Sequence, residues 1–185
     1  MSTTMGPPLR KLVLTIHLVI SIGWIGAVIA YLALDVAAVA TPPTDESRAA
    51  LLAMGFLAPA VIVPLAIASL ATGLVMSLGT PWGLFRHYWV VISLVLTVFA
   101  VAVLIGHLGD VTALARSGQD MTSAPHTAHT GDQQGSGARG DFLHAGGGLV
   151  VLLAVTALNV YKPRGLTPYG WRRQYGERTK RTRGS

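Results

Sequence analysis

The chain has 185 residues, of which 51% are hydrophobic and only 12% charged, against about 25% charged in an average soluble domain. With a mean hydropathy of +0.54, that deficit excludes an ordinary water-soluble domain and points to a core assembled in lipid. The absence of cysteine excludes disulfides, thiolate metal sites, thioether-attached haem and cysteine nucleophiles, and the net charge of +6 resides in residues 161–185, which carry eight Lys/Arg and one Glu.

Residues 1–8 form a polar leader whose Gly6-Pro7-Pro8 reads as a helix-breaking end. A first span is expected over about 10–40. Residues 12–34 hold no Asp, Glu, Lys or Arg, a run long enough as a helix for the roughly 30 Å of a bilayer's hydrocarbon core. Along it His17, Ser21, Trp24, Val28, Tyr31 and Asp35 follow at steps of 4, 3, 4, 3 and 4. That spacing gathers the polar groups on one helix face. Polar groups at membrane depth face a protein interior or a wet cavity, so the stripe predicts partner helices. The same segment with Ala38-Val39-Ala40 mimics a secretory signal peptide, but its apolar run is too long and Asp35 sits before the mimicked cleavage site.

Residues 41–46 are a turn in which Thr44 or Asp45 would cap the next helix. The second span, about 49–79, begins with 30 uncharged residues, more than one perpendicular crossing needs, so it should tilt or bend. Pro59 and Pro64 are the expected bends. Ala68, Thr72, Gly73 and Ser77 offer small surfaces for close packing. After a turn at 79–83 the third span is expected over about 86–114, with Trp82, Tyr88 and Trp89 as an aromatic cluster at headgroup level. Residues 116–141 are too sparse in hydrophobes to pack and read as a mobile, disordered-like loop. The fourth span follows over about 142–161, where Gly146-Gly147-Gly148 would permit close backbone contact. Residues 1–162 are thus one membrane domain and 163–185 a basic tail.

Four spans place both ends on one side. That side collects Arg10, Lys11, Arg86 and the eight basic residues of the tail, eleven in all, against Arg48, Arg116 and Arg139 on the other. The asymmetry predicts that both termini are cytoplasmic. The tail, with Tyr169, Trp171 and Tyr175 among its arginines, would be drawn to anionic headgroups of the bilayer. Nucleic acid is the competing partner for such a tail, but an orientation determinant explains it more simply, and no nucleic-acid partner is expected.

Two groups of side chains are candidates for chemistry. His107 and Asp110 lie three apart near the end of one span, and Asp141 and His144 three apart at the start of the next, so each pair shares a helix face. Antiparallel packing would join two imidazoles and two carboxylates into a ligand set for a divalent metal such as zinc or copper. His126 and His129 in the loop would deliver metal or add ligands. Nearer the other side, His17 and His87 would hold a single b-type haem. A second haem on His107 and His144 is disfavoured, because 20 residues put His87 and His107 on nearly opposite helix faces. The simpler reading of His17 is a buried polar group hydrogen-bonded to a neighbouring helix, for example to Asn159. No phosphate-binding loop, nucleophile elbow or zinc-protease pattern occurs, so no enzyme is expected.

His17 followed by Ile22-Gly23-Trp24-Ile25-Gly26-Ala27, with Thr72-Gly73-Leu74 and the aromatic start at Trp89, resembles small four-span bacterial proteins described only as predicted integral membrane proteins of unknown function. It is also distantly similar to the copper-resistance D family, whose members carry a histidine-then-tryptophan-glycine pattern in a span. The resemblance covers residues 9–162 and implies a four-helix membrane bundle; the copper link alone implies metal handling. The chain departs from a copper-trafficking pattern in lacking cysteine and any methionine cluster.

The expectation is an all-α, four-helix transmembrane bundle of a bacterial cytoplasmic membrane. It would serve as an accessory or scaffold membrane protein in a homo- or hetero-oligomer; the alternative is a metal- or haem-handling protein or permease. The orientation is testable with single cysteines. On intact cells an impermeant thiol reagent is expected to label Ser123→Cys and spare Ser185→Cys, and the opposite pattern overturns the assignment.

Overall fold

The structure is a computed structural model that describes residues 5–40, 44–79, 84–120, 131–163 and 165–172. Helix α1 (Pro7–Ala40) starts on the two prolines. They initiate it rather than break it, because the first helical turn has no use for the missing N–H and the fixed φ is already helical. Helix α2 (Asp45–Leu57) is capped by Thr44 through a reciprocal box. The Ser47 N–H donates to Thr44 Oγ1 at 3.5 Å, and the Thr44 N–H donates to Ser47 Oγ at 3.0 Å. Asp45 and Glu46 fill the first turn, where carboxylates complement the helix dipole.

A π-helical turn (Ala58–Ile62) carries α2 without interruption into α3 (Val63–Gly79). The Val63 N–H reaches back five residues to the Ala58 carbonyl. Pro59 lies within this turn and Pro64 two residues beyond it. A proline ring crowds the carbonyl four residues back and contributes no donor, and the widened turn accommodates both effects. The expected irregularity is therefore a local change of winding in one long helix.

Helices α4 (Tyr88–Asp120) and α5 (Gly131–Tyr161) complete the fold. They extend well into the segment expected to be a loop from 116 to 141. Helices α2 and α4 pack closely at the end of the expected span: Val111 is buried, and a Cβ on Gly55 would overlap the Ala115 side chain. His126 and His129 lie outside the described residues.

Each span packs on its neighbours in chain order and the first closes on the fourth. Helix α1 lies against α2 and α3, these against α4, α4 against α5, and α5 against α1. No diagonal pair is in contact among the described residues. Trp24, Ala27, Val28, Met54, Ile62, Ala66, Val101 and Leu152 form the core. Large apolar side chains cover the outside, Phe56 at 70% exposure and Leu143 at 73% among them. Water would not tolerate such a surface; lipid does. Four helices are long and apolar enough to cross a membrane.

Three local expectations change. Trp89 is 9% exposed and turns into the bundle instead of sitting with Tyr88 at the surface, since adjacent helical residues point about 100° apart. Gly146, Gly147 and Gly148 meet nothing within 4 Å of where a Cβ would stand, so they mediate no close contact. The proximal tail is docked rather than free. Leu166 pairs with His87, the Thr167 N–H donates to the Arg86 carbonyl at 3.1 Å, and the Thr167 hydroxyl donates to the Phe85 carbonyl. A Cβ on Gly170 would overlap the Arg86 carbonyl oxygen. At the same end the Met5 N–H donates to the Gly79 carbonyl at 3.0 Å. This basic end carries Arg10, Lys11, Arg86 and Lys162; the opposite, acidic end carries Asp35, Asp45, Glu46, Asp110 and Asp141.

The contact of Gly55 with Ala115 gives a reciprocal test. Gly55→Ala should destabilise the bundle by about 1–3 kcal/mol, the usual cost of overpacking, seen as a lower Tm in detergent. Adding Ala115→Gly should recover most of the loss, whereas additive losses would show that the two helices do not meet there.

Candidate functional site

The polar face of α1 divides into two layers separated by Trp24, Ala27 and Val28. Toward the basic end, His17 Nδ1 lies 2.8 Å from Thr72 Oγ1. The Thr72 hydroxyl is also 2.7 Å from the Ala68 carbonyl and 3.1 Å from that of Ser69, and its one proton goes to them. It therefore accepts from a His17 Nδ1–H, which leaves Nε2 with an open lone pair. The partner is thus on the second span. Asn159 instead donates to the Val155 carbonyl of its own helix at 2.9 Å, a correction to the expected pairing. Gly73 makes room for the ring, since a Cβ there would stand 3.2 Å from His17 Cε1. One turn on, Ser21 Oγ and Ser69 Oγ are 2.9 Å apart.

His17, Ser21, Ser69 and Gly73 line a cavity of about 650 Å³ bounded by all four spans. Trp24, Trp89, Ser93, Thr97, Thr156 and Asn159 contribute to its wall, and Arg10, Lys11 and Lys162 to its basic end. Ser93 Oγ is buried without a hydrogen-bond partner. His87 is not among the lining residues; it lies before the first turn of α4, with its ring centroid 6.3 Å from that of Trp89. The structure thus brings His17, and not His87, to the cavity.

At the acidic end the four residues expected as metal ligands do converge, as hydrogen-bonded and stacked groups. His107 Nε2 lies 2.8 Å from Asp141 Oδ1, and Nδ1 lies 3.0 Å from Asp110 Oδ2. His144 stacks on His107 with ring centroids 4.3 Å apart and planes 10° apart. Both nitrogens of His107 thus face carboxylate oxygens rather than an open position. Among the described residues no group of three or more His, Asp or Glu side chains is disposed to hold a metal ion.

Two residues of the α1 stripe lie at this end, one joined to the network and one beside it. The Tyr31 hydroxyl donates to Asp141 Oδ2 at 2.7 Å. Asp35, one turn further on, is 1% exposed, and neither of its oxygens has a hydrogen-bond partner. The three-four spacing that joins Tyr31 and Asp35 to His17 was the signal. It fixes a shared face, but not that Asp141 meets that face.

Fold and site together are those of a helical bundle with four helices long and apolar enough to cross a membrane and a polar interior in two layers. No family model, characterised relative or solved structure matches the chain.

The bond between Tyr31 and Asp141 is open to a double-mutant cycle. Tyr31→Phe and Asp141→Asn should each destabilise the protein. The coupling is expected at about 1.5–3 kcal/mol, as for a hydrogen bond to a charged group; strictly additive losses would remove the bond from the account.

Proposed function

We propose that this is a multi-pass protein of the bacterial cytoplasmic membrane, both termini cytoplasmic, that takes an anionic amphipathic small molecule into the cavity at its basic end. The observation that carries the proposal is the cavity of about 650 Å³ beside His17. That size falls in the range of about 300–1,000 Å³ occupied by small-molecule sites. The cavity opens between the spans beside exposed Leu18 and Ile22 of its wall, which gives an amphiphile a way in from the bilayer.

The wall is mostly apolar, which suits the body of an amphiphile, while Arg10, Lys11 and Lys162 at the end of the cavity suit an anionic head. His17 supplies the point of recognition. Its Nδ1–H is held by Thr72, the outer-shell arrangement that orients an imidazole for ligation or for accepting a hydrogen bond at Nε2. A b-type haem would belong to this class, with an apolar macrocycle and two carboxylates, and His17 would be the residue to hold its iron. A fatty-acid-like lipid has the same chemistry without the metal.

Full-length protein purified in mild detergent is the material for the test. Visible absorption reports haem, and mass spectrometry of the extract reports lipid carboxylates. The expected result is a bound anionic amphiphile whose occupancy falls roughly tenfold, about 1.4 kcal/mol of binding, in His17→Ala and also in Gly73→Leu, which fills the cavity. Equal content in wild type and both folded variants, or none in the wild type, overturns the proposal.

A further inference from the structure

The wall of the cavity at the basic end carries six hydroxyls among the described residues, and five of them are spent inside the protein. Ser21 and Ser69 pair with each other at 2.9 Å. Ser77, Thr97 and Thr156 each donate to a carbonyl of their own helix, those of Leu74, Ser93 and Leu152. Ser93 is the exception: it is 7% exposed, and its Oγ has no hydrogen-bond partner among the described residues. A helical serine can turn its hydroxyl to the carbonyl of the preceding turn, as Thr97 does, and Ser93 does not. An O–H is thus kept from water with nothing to receive its proton, at a cost to folding. The residues of α4 on the wall are Trp89, Val90, Ser93, Leu94 and Thr97, one helix face with Ser93 at its centre. Ser93 lies five residues beyond Tyr88, where α4 begins, and His17 seven beyond Arg10, so both stand about 8–10 Å along their helices from the basic end.

We propose that the amphiphile taken into this cavity carries a hydroxyl or keto oxygen on its apolar body, and that this oxygen accepts a hydrogen bond from Ser93 Oγ. The inference rests on the reading of the cavity as a site for an anionic amphiphile and narrows the class of ligand. A plain hydrocarbon chain would leave the Ser93 O–H unpaired in a filled, dry site, where an unpaired donor costs most. A b-type haem, whose oxygens all belong to its two carboxylates, would leave it unpaired as well. An oxygen at the depth of Ser93 removes that penalty and gains a bond, while the carboxylate end remains with Arg10, Lys11 and Lys162 at the rim. Ser93 is then a specificity-determining residue, because a site built around a polar group rejects the analogue that lacks its partner.

The test uses the full-length protein in mild detergent and two probes, each made to displace radiolabelled stearate: stearate itself, and the same acid with one hydroxyl roughly 10 Å along its chain, the depth of Ser93. The wild type is expected to bind the hydroxy acid about three- to tenfold more tightly, the worth of one neutral hydrogen bond. In Ser93→Ala that preference should vanish, and because the substitution removes an unpaired group, the Tm of the ligand-free protein should stay the same or rise. Equal binding of the two acids by the wild type, a preference that survives in Ser93→Ala, or a lower Tm in that variant overturns the inference and leaves the reading of the cavity standing. If neither acid binds while the purified protein still carries an anionic amphiphile, this inference alone falls. If neither acid binds and the protein carries none, both fall.

Discussion

The polar edge of α1 cannot remain in lipid, and the rest of the bundle is arranged around that constraint. His17, Ser21, Tyr31 and Asp35 lie on one face of a helix whose other sides are apolar, and each unsatisfied polar group in hydrocarbon costs several kcal/mol. Three of the four find side-chain partners on other spans: Thr72, Ser69 and Asp141. The first span is therefore the hub. It packs against the second and fourth, and the third closes the square opposite.

A square without diagonal contacts leaves its axis to be filled by side chains. In the middle Trp24, Ile62, Ala66, Val101 and Leu152 fill it, and toward the acidic end the network on Asp141 does so. Toward the basic end small and polar residues stand where larger ones would close the gap. Gly73, Ser21, Ser69, Ser93 and Thr97 line open volume there. One bundle thus has a half tied together by charged hydrogen bonds, which are the stronger kind, and a half kept open. The docked segment 165–172 lies at the open end, where backbone hydrogen bonds join it to Arg86 and Tyr88 at the start of α4.

Much of this was legible residue by residue. The runs without charge marked the four spans, and the three-four spacing on α1 identified its buried face correctly down to Trp24, Tyr31 and Asp35. The pairs His107/Asp110 and Asp141/His144 were rightly placed together, because residues three apart share a face and antiparallel neighbours meet. Their chemistry was not legible. Whether two imidazoles and two carboxylates bind a metal or bind one another depends on where the nitrogens point, and here Asp110 and Asp141 occupy both nitrogens of His107. Of the segment expected as a loop, 116–120 and 131–141 are helical; composition reports only how little a stretch can bury by itself. It is silent on Gly55, which α4 meets at Ala115 just before that segment.

The sequence by itself determined the number of spans, the inward face of the first, and the separation of a basic from an acidic end, because length, hydropathy and charge are local and bilayer thickness converts them directly into architecture. Only the tertiary structure decided which side chains meet. The pairing of His17 with Thr72, of Tyr31 with Asp141, the cavity beside Gly73 and the isolation of Asp35 each join helices far apart in the chain. They depend on the rotation and register of one helix against another, which packing of whole surfaces sets and periodicity alone does not.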